Sequence, residues 1–482
     1  MLELTTVKKN KINLADYNYA QDVQSRAVLS DFSLFDLEVL EEILFSPLKA
    51  SVKKISRSID CAEEDLDPIL LKLSTCALLE RQGDSITVDK DRRKYFELQI
   101  TRFEEGFKPD MEFLQTLLKQ VPIHILPIWY AIPRATNNIF ESIVEKYLLT
   151  PQIYHRHLME LNFSDPILSS ILHDVFTSPD LKVSSSDLIA KYNLARADFD
   201  EIMLQLEFHF VCYVSYQREE DHWHEIVTPF YEWREYMLFL QETETDRIEN
   251  DDQVFSCRTS PYAFVEDMGV ILSLAKKKPI ALVGDKEADF SSLSPALAIS
   301  LAHHIGLESD SVEEVRFAQD YLSRIIEKLL LIRLADRIDG KLYALETSND
   351  WLDLDLETRS IHLYRHPLNR ILNPTLLLAL CNERTIREAE KSVKRVIYKG
   401  WVYFDDFLQG VLVPLNENSI VMLKRIGKQW KFTLPHYTDD EKALIKATVN
   451  EWLFECGITT PGLHEGRDCF TVTPFGRIFF AD

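Results

Sequence analysis

The 482-residue sequence predicts a mainly α (α+β) chain, a tandem array of small helical modules that each close on a short β-hairpin. One observation behind this is an internal echo: Val227-Thr228-Pro229-Phe230 recurs as Val472-Thr473-Pro474-Phe475, with matching surroundings. A Leu- and aromatic-rich helical stretch (Ala197 to Phe208; Glu441 to Phe454) comes first, then an apolar strand, a charged loop and a second strand that runs into the shared residues. Valine ends that strand, threonine offers an oxygen to the orphan amides of a new helix, and proline takes the first helical position, where no N–H is needed. The other observation is that turn signals, Gln82-Gly83-Asp84 and Asp339-Gly340, separate short apolar segments downstream of further helical periodicity.

The first module occupies 1–100. Leu37, Leu40, Ile43 and Leu44 recur at helical spacing before Ser46-Pro47; a second helix fits Ala50 to Ser58, and a third begins near Ala62 with Leu66, Ile69, Leu70 and Leu73 on one side. The segments Leu78 to Arg81 and Ser85 to Val88 then form a hairpin. Three helices and a wing is the winged-helix order. Residues 101–163 read as a helical spacer broken by Pro122, Pro127 and Pro133. The second module, 164–240, opens at Asp165-Pro166 and has a longer wing, Phe210 to Gln217 with His222 to Val227. Within 241–261, Glu242 to Asp252 holds six acids and one arginine, the composition of a solvated linker. Winged-helix-like modules three (262–372) and four (373–482) complete the chain.

Composition bounds the function. Hydrophobic residues make up 46% of the chain, and no run approaches the ~20 apolar residues of a membrane span. Met1 to Lys11 is polar and lysine-bearing, so no secretory leader is expected. Seven scattered cysteines without a Cys-x-x-Cys pair suit reduced thiols in the cytoplasm. Only 13 residues are glycine, which disfavours enzymes built on glycine-rich loops, and the sequence lacks a Walker loop, an H-E-x-x-H helix and a G-x-S-x-G elbow. The expectation is a non-enzyme with no catalytic residue, cofactor, metal or small-molecule substrate. His222 and His224 stand alone at strand spacing, and Asp350, Asp353, Asp355 and Glu357 lack the glycine of a calcium loop.

A net charge of −23 opposes attraction to nucleic acid, so any such binding requires a local basic patch. Arg384 to Lys399 supplies one, with six basic and two acidic residues. It reads as a helix capped by Thr385 and Glu388 and ended by Gly400, with Ile386, Ala389, Val393 and Val396 inside. Arg384, Arg387, Lys391, Lys394, Arg395 and Lys399 are the candidate nucleic-acid contacts. Lys90, Arg92, Arg93 and Lys94 with Lys53, Lys54 and Arg57 form a second patch. Against DNA, the predicted recognition helices carry Glu63, Glu64, Asp65 and Asp67 in module one and Asp198, Asp200 and Glu201 in module two. Those modules suit a protein partner.

Pro279-Ile280-Ala281-Leu282, Leu301 to Leu307 with His303-His304, Asp350-Trp351-Leu352, Gly400-Trp401-Val402 with Phe407-Leu408, and Thr473 to Arg477 together resemble the winged-helix-rich N-terminal region of bacterial XPB-type helicase-like proteins. The resemblance covers roughly Tyr262 to Asp482 and implies an accessory, substrate-engaging region beside a helicase motor. The function expected is a non-enzymatic nucleic-acid-associated factor that contacts DNA through module four. The alternative is a protein-interaction scaffold without nucleic-acid affinity.

Overall fold

The computed structural model describes residues 19–120, 139–161, 165–219, 222–283, 293–307, 311–366, 371, 376–377 and 379–480. They are mainly helical, with small antiparallel sheets of two or three strands. Two compact units divide the chain, 1–239 with 422–433, and 240–421 with 434–482. No described helix is long and apolar enough to cross a membrane.

Among the described residues one succession occurs four times: helix, short strand, helix, helix, hairpin. The first copy comprises α1 (Leu34–Phe45), β1 (Lys49–Ser51), α2 (Val52–Ile59), α3 (Glu63–Thr75), β2 (Leu79–Gln82) and β3 (Ser85–Val88). The second comprises α4 (Pro166–Thr177), β4 (Val183–Ser184), α5 (Ser185–Tyr192), α6 (Arg196–Phe208), β5 (Cys212–Glu219) and β6 (His222–Pro229), and α7 (Tyr231–Glu242) follows it. The third comprises α8 (Ala263–Lys277), β7 (Ile280–Ala281), α9 (Pro295–Ile305), α10 (Val312–Leu331), β8 (Ala335–Ile338) and β9 (Lys341–Ala344). The fourth comprises α11 (Glu383–Lys391), β10 (Val402–Tyr403) and α12 (Phe404–Gln409), an inserted hairpin β11 (Leu423–Ile426) and β12 (Gln429–Phe432), then α13 (Asp439–Ala447, prolonged through a π turn to Glu455), β13 (Thr459–His464) and β14 (Arg467–Val472). Helix α14 (Pro474–Phe480) follows. In every copy the last strand lies in the middle: β1-β3-β2, β4-β6-β5, β7-β9-β8 and β10-β14-β13. Copies one and two share one hydrophobic core, and copies three and four another.

A helix ending repeated four times fixes this geometry. After the third helix of each copy one residue turns left-handed: Ala77, Phe210, Arg333 and Gly457, at φ +56°, +61°, +56° and +76°. The next residue, Leu78, Val211, Leu334 or Ile458, donates its N–H back to the carbonyl of Leu73, Leu206, Leu329 or Leu453 at 3.1, 3.1, 2.9 and 2.8 Å. All eight are buried, so each ending pairs a six-to-one hydrogen bond with an apolar contact that aims the chain into the hairpin. Left-handed backbone strains every residue but glycine. Ala77 is exposed there, so Ala77→Gly is expected to stabilise the fold by about 0.5–1 kcal/mol. Gly457→Ala is expected to act oppositely, since its Cβ would also meet the Pro261 carbonyl at 3.0 Å. Urea midpoints of the two variants check both signs.

The echoed tetrapeptide does different work in its two places. Thr473 accepts the Gly476 N–H at 2.9 Å and Pro474 opens α14, as expected. In the second copy β6 runs on through Pro229, α7 starts only at Tyr231, and the Thr228 hydroxyl has no partner. The acidic stretch 241–261 is not a free linker: Thr245 and Ile248 are buried, and Ile248 donates its N–H to Trp401 O at 2.8 Å. The range expected for module four is interrupted, because 422–433 belongs to the first unit. In the spacer, Pro122, Pro127 and Pro133 lie outside the described residues.

Candidate nucleic-acid interface

The expected helix over 385–399 is shorter and differently capped. Asn382 Oδ1 accepts the Thr385 N–H at 3.0 Å and its hydroxyl at 2.9 Å, so Asn382 and not Thr385 is the cap. The α-helix ends at Lys391 and tightens to a 3₁₀ turn over Ser392–Val396. The inward face is as expected, with Ile386, Ala389, Val393 and Val396 buried.

The six candidate contacts do not form an open cationic row. Arg387 donates to Glu390 at 2.9 Å and to the Tyr364 hydroxyl, and its guanidinium lies 4.4 Å from the Tyr364 ring centroid. Lys391 pairs with Glu388 at 2.7 Å. Arg395 turns into its own unit, donating to the carbonyls of Leu240 (3.0 Å), Thr243 (2.9 Å) and Gly410. Lys399 pairs with Glu244. Arg384 and Lys394 are exposed, Lys394 at 6.0 Å from the Phe480 ring. The second patch is partly spent as well: Arg92 donates to Cys76 O (3.2 Å) and Ser25 Oγ (2.6 Å), Arg93 pairs with Glu97 (3.0 Å) and Lys94 with Asp91 (3.4 Å). Lys53, Lys54, Arg57 and Lys90 remain exposed.

An uncompensated basic surface lies instead on the β11–β12 hairpin. Asn418 to Thr438 contains four Lys/Arg and no Asp or Glu. Gly427, at φ +65°, makes the turn, as a two-residue hairpin loop requires at its first position. Register places Leu423 opposite Phe432, Lys424 opposite Lys431, Arg425 opposite Trp430 and Ile426 opposite Gln429. Alternation therefore splits the hairpin into two faces. One is anchored in the first unit: Leu423 donates its N–H to Leu149 O at 2.7 Å, Phe432 packs on Trp233 and Tyr236 at 6.2 and 5.4 Å between centroids, and Trp430 meets Phe140 edge-on at 5.9 Å. The other presents Lys424, Lys431, Gln429 and Ile426, the last 57% exposed. Lys424, Arg425, Lys428 and Lys431 are all exposed and none is in an ion pair among the described residues. Two lysines directly opposed across a ladder repel, which costs the fold and leaves a strong field for an anion.

The third helices of the four copies have the opposite sign. Glu63, Glu64 and Asp65 open α3, Asp198 lies in the first turn of α6, Glu313 and Glu314 open α10, and Asp439, Asp440 and Glu441 open α13. Asp200, expected to face outward, is 1% exposed: Arg196 binds it at 2.7 Å and also bridges to Glu225 at 2.6 Å, and burial, outweighing Arg196, raises its carboxyl to about 6. These helix ends would repel a phosphate backbone. Comparison with protein-family models and with curated proteins finds no match for this chain.

Proposed function

We propose that the chain is a non-enzymatic, nucleic-acid-associated factor built from four winged-helix modules, with the β11–β12 hairpin as its contact. The observation that carries this reading is the cross-strand Lys424–Lys431 pair, flanked by Arg425 and Lys428 and unopposed by any carboxylate in an ion pair among the described residues. Strand-borne cations beside an exposed apolar side chain suit a flexible, single-stranded backbone more than a wide, rigid groove. The resemblance to helicase accessory regions fits an assistant to a motor supplied by another chain. A second reading, a protein-interaction scaffold, is favoured by the acids that open each third helix, which suit a basic protein partner.

Fluorescence anisotropy with a labelled single strand and a labelled duplex, at low and physiological salt, tests the proposal. Lys424→Glu places opposite charges across the ladder, so it is expected to stabilise the hairpin by about 0.2–1 kcal/mol while weakening binding. Lys424→Glu with Lys428→Glu should weaken single-strand binding about 100-fold and flatten the log K against log salt slope by roughly 1.4. Arg387→Glu with Lys391→Glu should leave affinity within about twofold, since those cations already have partners. No binding at low salt, or equal binding by the hairpin variants, would overturn the reading in favour of the scaffold.

A further inference from the structure

Unit one contains a trough of about 500 Å³ on the face of the β4-β6-β5 sheet, apart from the hairpin described above. Its size is that of a small-molecule pocket. Register brings Thr228, Ser215, Ile226 and Gln217 onto one face of the sheet, and all four line the trough. Lys108 and Pro109 form one wall, and Tyr231 and Arg234 of α7 form another.

The floor at the base of the strands is chemically unfinished. Thr228 is 4% exposed, yet its Oγ1 has no hydrogen-bond partner. A desolvated hydroxyl left unpaired costs stability unless something arrives to meet it. Three cations surround this end. Lys182 immediately precedes Val183, which lies opposite Val227 in the sheet, and no carboxylate is in an ion pair with its ammonium among the described residues. Burial first, and then the neighbouring charge of Arg234, lower the Lys182 pKa, while Asp180 opposes the shift. Arg234 donates to the Asp180 carbonyl at 3.1 Å, and its nearest carboxylate, Glu235, stands at 3.7 Å. Lys108 is held at the rim by the Tyr231 hydroxyl at 2.9 Å and by the face of that ring, 4.1 Å from the centroid. Of the acids that line the trough, Glu104 and Glu105 are exposed, and Glu219 sits at the hairpin tip opposite His222, six positions or roughly 20 Å along β6 from Thr228.

We infer that this trough is a binding site for the phosphate monoester of a small organic molecule, with the phosphoryl group held by Lys182, Arg234 and Lys108 and accepting the Thr228 hydroxyl proton. The organic part lies along Ile226 and Gln217, on the same face of the sheet. A phosphoryl group fits better than a lone carboxylate because three cations and a hydroxyl donor outnumber the two oxygens of a carboxylate.

Isothermal titration of the full chain with inorganic phosphate, glucose 6-phosphate, AMP and unphosphorylated glucose tests this. We expect one-to-one binding of at least one of the two esters, none of glucose, and a loss of about tenfold for either Thr228→Val or Lys182→Met. Thr228→Val removes an unpartnered hydroxyl at constant shape and should leave the fold intact, so its loss of binding cannot be ascribed to unfolding. The Lys424→Glu/Lys428→Glu variant should bind the ester unchanged, which separates this site from the nucleic-acid reading. Failure of both esters to bind at millimolar concentration, equal binding by Thr228→Val and Lys182→Met, or loss of binding only in the hairpin variant would each overturn it.

Discussion

Replacement of Glu207 by glutamine is expected to destabilise the protein by about 3–5 kcal/mol, the cost of leaving buried charge without its partner. Glu207, in α6, is fully buried. Its Oε2 accepts from Arg26 at 2.8 Å and from Arg102 at 3.1 Å, and its Oε1 accepts from Arg102 at 2.7 Å and from the Val214 N–H at 3.3 Å. Arg26, on the helix Tyr19–Ser30, also holds Asp22 at 2.9 Å, while Arg102 reaches the Val214 carbonyl at 3.0 Å. Burial alone would push the carboxyl up; the two guanidiniums outweigh it and hold Glu207 at about 2. A depressed carboxyl stabilises the fold above its unfolded value near 4.5 and loses that contribution as pH falls through about 2. Urea denaturation at pH 7 measures the cost directly. Exchanging all four residues together, Asp22→Asn, Arg26→Met, Arg102→Met and Glu207→Leu, should recover most of it, because both carboxylates then leave together with the guanidiniums that hold them. A Glu207→Gln cost below about 1 kcal/mol would mean that the cluster relaxes to water and does not pin these three segments.

The helices and strands were legible because their causes are local. Leu37, Leu40, Ile43 and Leu44 mark α1 by spacing alone, and Asp339-Gly340 turns left-handed at +49° and +70° as a tight hairpin demands. The repeated helix ending was not legible, because three of its four left-handed residues are Ala77, Phe210 and Arg333, none a turn former; only Gly457 has the usual signature. The interface misled for a different reason. A helical periodicity count shows which side of Arg384 to Lys399 is polar, but not that Lys399 meets Glu244, 155 positions away, or that Arg395 bonds to carbonyls of Leu240 and Thr243. The four cations of the β11–β12 hairpin can be counted in the sequence, but only register sets Lys424 directly against Lys431. Thr228 and Thr473 show the same limit from the other side, since identical tetrapeptides leave one hydroxyl in a cap and the other unpartnered.

Glu232 should make the protein less stable as pH rises. It lies in the first turn of α7, 3% exposed, where Oε1 accepts the Met111 N–H at 3.1 Å and Oε2 has no partner. Burial first, with the negative neighbours Asp110 and Glu112 adding to it, raises its carboxyl to about 8 despite the Met111 hydrogen bond. The folded chain therefore keeps a proton that the unfolded chain releases near 4.5. The stabilisation is complete below that value, declines as pH rises and is gone above about 8. Glutamine keeps the shape and cannot ionise, so the stability of Glu232→Gln relative to the wild type should rise by about 4 kcal/mol between pH 5 and pH 9, by the linkage of a shift from 4.5 to about 8. Urea midpoints of both proteins across that range supply the difference curve, in which titrations common to the two cancel. A flat curve would mean that Glu232 is already ionised in the folded state, and that water or a local rearrangement reaches Oε2; a rising one locates a protonated carboxyl where α7 meets the Met111 backbone.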